Sequence, residues 1–303
     1  MEEWWLSYLE SDGLLLRDKV LAGEDPDRLL VALRSGRLRR VQRGIYLPRS
    51  VEYAPIRAAR AAVLSSGIPE AVASHETAAR VHSIDSSERG GCERVTVPLD
   101  KRRKDRKDLT FHTRALVLGD VLSVNGIPVT SVPRTLADLA CSLEKLPAVW
   151  AIDDAIRRGI CTREALQREL ATWRGGSGCH LAATRLSEAD GVAESILETA
   201  GRLALAEARV PLPVPQYEVR LPDGSVARLD GAYPLAKVGL EFDGRSVHEA
   251  PKAILRDRER QNGLVTLGWT IMRFTWWDVT HDPLRFTATV SRMLSAKGGL
   301  RSS

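Results

Sequence analysis

Two acidic residues interrupt apolar segments in the C-terminal third of the chain. Asp230 lies in VARLDGAY (226–233), and Glu241 follows eleven residues later in AKVGLEF (236–242). Both segments are predicted to be strands, joined by a short turn at Tyr233-Pro234-Leu235. Residues at this spacing in a hairpin fall almost opposite each other, within cross-strand reach. We therefore expect the Asp230 and Glu241 carboxylates to lie side by side.

Two adjacent carboxylates repel each other unless a cation lies between them. A hard divalent ion such as Mg²⁺ or Mn²⁺ takes oxygen ligands and keeps several waters, so one or two carboxylates and a substrate phosphate can hold it. Such an ion stabilises the charge on a transferring phosphoryl group and lowers the pKa of an attacking water. The pair therefore indicates metal-assisted hydrolysis of a phosphate ester. A solvated surface charge is the alternative for any single carboxylate.

Asp243 and His248 follow directly after Glu241. Alternation in Glu241-Phe242-Asp243 places the two acids on one face if the strand continues, so both can reach the same ion. His248 lies five residues further on, in a loop after Gly244. Because histidine exchanges protons near neutral pH, His248 is the candidate general base. A loop histidine without a role is the alternative.

Four further charged residues accompany this set. Glu194 lies in a predicted helix over 192–208, and Glu198 lies one turn away on the same face, so either could supply a helix acid. Asp257 and Arg260 lie three residues apart in a predicted helix over 252–266, where they favour an ion pair or a contact of Arg260 with phosphate. The sequence leaves both choices open.

The C-terminal third, with RLDGAYP, LEFDG and a following histidine, DRERQNGL (257–264) and GWTIMRFTWWDV (268–279), resembles the very-short-patch-repair-like branch of the PD-(D/E)XK nucleases. Its predicted order of helix, three strands, helix, strand and helix resembles the restriction-endonuclease-like core. This resemblance implies a central metal ligand at Asp230, a second acidic motif at Glu241 and Asp243, a helix acid at Glu194, and a base at His248. The usual Glu-x-Lys is replaced by Glu241-Phe242-Asp243, so the base must be His248 or a metal-bound hydroxide.

The N-terminal segment RSGRLRRVQRGIYLPRS (34–50) carries six arginines and no acid. Its alternation predicts strands around Gly44, after short helices. SGRLRRVQRGIYLP resembles the winged-helix segment of AbiEi-type antitoxins, which binds promoter DNA. Like charges at this density repel each other unless an anion is present. We therefore expect DNA phosphate contacts from Arg37, Arg39, Arg40 and Arg43, with a solvated hairpin as the alternative.

Two segments of the middle region, VASHETAARVHSI (72–84) and GIPVTSVPRTLADLA (126–140), resemble the region behind such N-termini, but no chemistry is assigned to them. The expected fold class is α/β (α+β), in three domains. These are a winged helix (1–50), a mixed α/β middle domain (51–190), and a restriction-endonuclease-like mixed sheet flanked by helices (191–303).

Composition limits the class of protein. Hydrophobic residues make up 44% and charged residues 27% of the 303, as in soluble globular proteins. The net charge of +5 permits a polyanionic partner. The four cysteines show neither zinc-ligand spacing nor a disulfide pattern, and no run of about 18 apolar residues occurs. We expect a cytoplasmic protein that binds DNA and no membrane, with a homodimer left open.

The leading functional hypothesis is a Mg²⁺-dependent DNA endonuclease or nickase docked on DNA by the winged helix. A second hypothesis is a non-catalytic DNA-binding regulator, an AbiEi-like antitoxin or transcription repressor with an inactive nuclease-like domain, favoured by the missing lysine. A nuclease acting on RNA is a third, because the site chemistry is the same. A cleavage assay with divalent ions would separate an enzyme from a regulator.

Overall fold

The computed structural model describes residues 3–24, 26–87, 91–117, 119–173, 178–243 and 251–298, with the side chains of 251–256 excepted. The fold is mixed α/β, as expected. Contacts group the chain into two compact units: Met1–Leu143 with Ile160–Ala183, and Glu144–Gly159 with Thr184–Ser303. The first 50 residues and most of the middle region thus share one unit. The three-domain division stays a prediction.

The first unit begins with a small three-stranded sheet and short helices. A 3₁₀ helix (Trp4–Tyr8) precedes β1 (Leu15–Leu16), α1 (Arg17–Gly23), α2 (Pro26–Arg34), β2 (Leu38–Gln42) and β3 (Ile45–Pro48). The strand order is β1-β3-β2, with antiparallel pairing throughout. Gly44 takes a positive φ of 74°, which suits the tight turn between β2 and β3. This is the hairpin that the sequence predicts.

A five-stranded sheet, ordered β6-β5-β4-β8-β7, forms the rest of the first unit. Its elements are α3 (Pro55–Ser66), β4 (Val72–Ala73), α4 (His75–Val81), β5 (Glu93–Val97), a 3₁₀ helix (Leu99–Lys101), β6 (Leu109–Thr113), β7 (Val121–Val124), β8 (Ile127–Thr130) and α5 (Val132–Ser142). The chain then forms α6 (Lys145–Arg157) in the second unit and returns with α7 (Arg163–Thr172). Thr162 caps α7, since its hydroxyl accepts the Ala165 N–H at 3.2 Å.

The second unit carries a four-stranded sheet between two layers of helices. After α8 (Cys179–Glu188) come α9 (Ile196–Glu207), β9 (Val214–Arg220), β10 (Val226–Tyr233), a 3₁₀ helix (Pro234–Ala236), β11 (Val238–Asp243), α10 (Pro251–Thr266), β12 (Thr270–Thr275), α11 (Trp276–Thr280) and α12 (Pro283–Ala296). The strand order is β12-β11-β10-β9; only β11 and β12 run parallel. Helices α8 and α11 were not expected from the sequence.

The two faces of this sheet have separate cores. On one face Leu240 and Phe274 pack with Leu197 of α9 and Phe286 of α12. On the other face Leu229 packs with residues that include Leu264 of α10. Side chains alternate between the two faces along β10 and β11, so the position of a polar residue in its strand determines whether it faces α9 and α12 or α10.

Among the residues that the structure describes, every helix is too short or too polar to cross a membrane. Cys92, Cys141, Cys161 and Cys179 are free thiols, in agreement with the absence of a disulfide pattern in the sequence.

Candidate functional site

The hairpin of β10 and β11 has the register that the sequence predicts. Gly231 pairs with Leu240 and Tyr233 with Val238, which is the register in which Asp230 would lie opposite Glu241 if the ladder continued. The ladder stops at Gly231, however. Instead of a further backbone pair, Oδ2 of Asp230 accepts the backbone N–H of Phe242 at 2.7 Å. The Asp230 carboxylate thus accepts a hydrogen bond from β11 at the point where backbone pairing between the two strands ends.

Asp230 is half-buried among other acids. Burial is the main cause that raises the pKa of its carboxyl, and the negative charge of Glu241 raises this pKa further. The hydrogen bond from Phe242 acts in the opposite direction. The side chain lines a narrow cleft together with Glu198 and Arg202 of α9. Asp230 is therefore a carboxylate whose ionised form is disfavoured by its surroundings.

Glu198, not Glu194, is the helix acid beside Asp230. Glu194 is exposed and pairs with Arg228, whose Nη2 donates to Oε2 at 2.7 Å. Glu198 is half-buried, and its carboxylate accepts the Glu194 N–H at 2.9 Å and Nε2 of Gln216 at 2.7 Å. Burial raises the pKa of Glu198, and the charge of Asp230 raises it further. Of the two candidates for the helix acid, Glu198 is therefore the one that lies beside Asp230. Its role in metal binding stays a prediction.

Glu241 is buried and neutralised by two arginines. Its Oε1 accepts from Nη2 of Arg260, and its Oε2 accepts from Nε of Arg273 at 3.0 Å. Both arginines also contact Asp257, Arg260 at 3.4 Å and Arg273 at 3.2 Å. The four side chains form a closed set of two acids and two bases. Arg273 was missed in the sequence, where a lone arginine in an apolar strand carries no signal of its partner.

The carboxylates of Asp230 and Glu241 take partners on different sides of the sheet. Asp230 opens towards Glu198 of α9, whereas Glu241 contacts Arg260 of α10. The expected side-by-side placement of the two carboxylates is therefore not found, although the charge of Glu241, after burial, still raises the pKa of Asp230. Within the described residues no group of three His, Cys, Asp or Glu side chains is arranged to hold a metal ion.

Asp243 is exposed at the end of β11. Burial lowers the pKa of Arg273, but the hydrogen bond to Asp257, the charges of Glu241 and Asp257 and, last, the charge of Asp243 raise it. Asp243 thus lies near the Arg273 and Glu241 cluster. His248, the candidate base, lies outside the described residues, and its role stays a prediction.

The N-terminal arginines divide into two kinds. Arg37 lies over the Trp5 ring at 5.2 Å, and Arg39 donates to the Val51 carbonyl at 2.8 Å, so both support the fold of the first unit. Arg40 and Arg43 are exposed and line a groove together with Arg106. Burial lowers the pKa of Arg106, the charge of Asp108 raises it, and the charges of Arg43 and Arg40 lower it. Asp108 also lies 3.7 Å from Arg40, so the groove contains charges of both signs.

No family model matches the chain. Among solved structures, the crystal structure of the RV2827C protein from Mycobacterium tuberculosis aligns with 16% identity and a TM-score of 0.41, over 69% of this chain and 84% of that one. Two curated relatives are much more similar in sequence. They are the Uncharacterized protein Rv2248 of M. tuberculosis strain H37Rv and the Uncharacterized protein MT2308 of strain CDC 1551, each 30% identical over 267 residues, 88% of this chain and 96% of the relative. The chain therefore belongs to the family of these two uncharacterized mycobacterial proteins.

Proposed function

We propose that the second unit hydrolyses phosphodiester bonds in DNA with the help of Mg²⁺ or Mn²⁺. The observation that carries this proposal is the position of Asp230, half-buried between two other carboxylates. Glu241 on the neighbouring strand disfavours its charge, and Asp230 in turn disfavours the charge of Glu198. Acidic groups held in this way occur at functional sites more often than elsewhere.

The donor set suits a hard cation in its chemistry. Asp230 would hold the ion, with Glu198 as the second carboxylate, because Mg²⁺ needs only one or two protein carboxylates beside phosphate and water. Glu241 fits less well, since it would have to leave Arg260 or Arg273 before it could bind a metal. When bound, the ion would supply charge stabilisation and a more acidic water.

The protein's own side chains then have separable tasks. The Phe242 amide fixes the Asp230 carboxylate at the strand end. Arg260 and Arg273 are held by Glu241 and Asp257, so either arginine would have to leave these acids before it could contact a phosphate group. His248 is retained as the proposed proton acceptor for the attacking water, because no lysine follows Glu241.

DNA docking is proposed for the first unit. Its opening order of helix, strand, two helices and hairpin, with strand order β1-β3-β2, resembles that of a winged helix. Arg40 and Arg43 are the exposed members of the arginine set and are assigned phosphate contacts. Such contacts position a protein on a duplex without reading its sequence. Arg37 and Arg39 are assigned to the fold instead.

One observation favours the second candidate function, a non-catalytic DNA-binding regulator. Glu241 is balanced by two guanidinium groups, which is the arrangement of a structural carboxylate. In that case the second unit serves as a scaffold and the first unit alone binds DNA.

Incubation of the full chain with plasmid DNA and with single-stranded DNA and RNA, with Mg²⁺, Mn²⁺ or EDTA, separates the candidates. The nuclease proposal expects divalent-ion-dependent cleavage of DNA that Asp230→Asn abolishes. Cleavage of RNA alone would move the substrate to RNA. Binding of DNA without any cleavage would favour the regulator.

A further inference from the structure

A polar cavity in the first unit is built from the two middle segments that the sequence leaves without a chemistry. VASHETAARVHSI supplies His75, and GIPVTSVPRTLADLA supplies Asp138. Strand β6 and the residue after it add His112 and Arg114. The cavity has a volume of about 230 Å³. Its location is distinct from the carboxylate site of the second unit.

The two imidazoles are stacked inside this cavity. Their ring centroids lie 3.6 Å apart with 18° between the planes. His75 is only 6% exposed, and its Nδ1 lies 3.0 Å from the Ser74 hydroxyl. Nε2 of His112 is buried and has no hydrogen-bond partner among the described residues. Because a buried polar atom without a partner is costly, this nitrogen has a hydrogen-bonding capacity that a ligand would satisfy.

His75 also has an unusual backbone. Its φ of 51° lies in the left-handed region, which costs a residue with a Cβ atom about 1–2 kcal/mol. A conformation of this kind persists only where the surrounding structure holds it. The strained backbone places the His75 ring face to face with His112.

The charges around the pair favour an anion. Burial lowers the pKa of His75 most, and the charges that next lower it come from His112, Arg94, Arg114 and Arg134, in that order. Burial, followed by Arg94, lowers the pKa of His112 to about 4, with Asp105 acting in the opposite direction. The potential at the stacked rings is therefore positive.

Several acids near the imidazole pair form ion pairs with arginines. Both carboxylate oxygens of Asp138 accept from Nε of Arg134 at 3.2 Å, and Oδ1 of Asp138 lies 3.9 Å from Nη1 of Arg114. Glu76 pairs with Arg94 at 2.7 Å. Asp120 and Glu169 also contact Arg134, at 2.8 Å and 3.9 Å. Asp105 is the acid whose charge acts on His112. Burial raises the pKa of Asp138 in the cavity wall to about 6, with Arg134 and Arg114 acting in the opposite direction.

We propose that this cavity binds a small dianion of the phosphate type, free or as a monoester, and that one imidazole takes up a proton from solvent as the anion binds. Nε2 of His112, the hydroxyls of Thr96 and Thr113, and the guanidinium of Arg114 are the donors. A bound anion removes the positive potential that keeps the rings neutral. Binding of the anion and protonation therefore strengthen each other, as linkage requires.

Calorimetric titration of the full chain with sulfate tests the proton uptake, because sulfate stays a dianion across the range used and phosphate does not. The expected result is an affinity that rises by up to about tenfold per pH unit as the pH falls from about 7 to about 5. Titration with inorganic phosphate and with a nucleoside monophosphate at one pH then distinguishes a free anion from a monoester. A pH-independent affinity, or no binding to any of the three, would overturn the proposal.

NMR of the histidine side chains locates the site in the unaltered protein. The resonances of His75 and His112 should shift towards the protonated form on addition of sulfate, while His82 and His281 serve as internal controls. As a variant, His112→Gln should lower the affinity at pH 6 at least about tenfold, and His281→Gln should not. Equal shifts of all four histidines, or unchanged binding by His112→Gln, would show that sulfate associates elsewhere on the surface.

Discussion

Oδ2 of Asp230 accepts the backbone N–H of Phe242 at 2.7 Å, at the point where the β10–β11 ladder ends. The carboxylate is thus positioned by backbone and not by another side chain. Because the amide oxygen of asparagine can accept the same hydrogen bond, Asp230→Asn removes the charge and keeps the position. This makes Asp230 a residue at which function and stability can be measured separately.

Asp230→Asn is expected to leave the free energy of unfolding unchanged or to raise it by up to about 1 kcal/mol. The reason is that burial and Glu241 both raise the pKa of Asp230, so its ionised form is unfavourable in the folded protein at neutral pH. Urea unfolding of both proteins at pH 7 measures the difference. A loss of more than about 1 kcal/mol would mean that the charge itself stabilises the fold.

Glu198 and Glu194 form a matched pair for the helix acid. If Glu198 supports a metal at Asp230, Glu198→Gln should lower divalent-ion-dependent cleavage on the order of 10–100-fold. Glu194→Gln should change it about twofold at most, because Glu194 pairs with the exposed Arg228. Cleavage rates at saturating Mn²⁺ compare the two. A greater loss in the Glu194 variant would restore Glu194 as the helix acid.

Arg40 and Arg43 should carry the DNA contacts of the hairpin. Their joint replacement by Gln is expected to weaken binding and to lower the slope of log affinity against log salt by about 2. Arg39→Gln is the control: it loses the bond to the Val51 carbonyl and should cost about 1 kcal/mol of stability with a smaller effect on the slope. Fluorescence anisotropy on a duplex at several salt concentrations measures both slopes. An unchanged slope in the double variant would leave the hairpin a solvated surface.

His112 should impose an acid dependence on stability. Its pKa is about 4 in the folded protein and about 6.5 in the unfolded chain, so the unfolded chain takes up the proton first as the pH falls. The free energy of unfolding should therefore fall between about pH 6.5 and pH 4, and His112→Gln should lack this part of the loss. Urea unfolding in buffers free of phosphate and sulfate measures it. Parallel pH profiles for the two proteins would contradict the assignment.

The alternation of apolar and polar residues predicts the secondary structure near the site, but it does not predict which side chains contact each other there. Alternation around Asp230 and Glu241 predicts the β10–β11 hairpin and its register, and the structure has both. The pairing of Glu241 with Arg273 depends on β12 lying parallel to β11, a long-range contact that no local pattern encodes. The stacking of His75 on His112 depends in the same way on the order of the five-stranded sheet.

Single-turnover cleavage of a DNA duplex by the full chain, in Mg²⁺ or Mn²⁺ and with Asp230→Asn in parallel, tests the proposed metal site at Asp230. We expect cleavage that requires the divalent ion and falls at least about 10²-fold in the variant, because metal ions held by carboxylates stabilise several kcal/mol of transition-state charge. Binding of the duplex should be retained by both proteins. Equal cleavage rates for the two proteins, or no cleavage by either under any divalent ion, would contradict the assignment of Asp230 to a hydrolytic metal site.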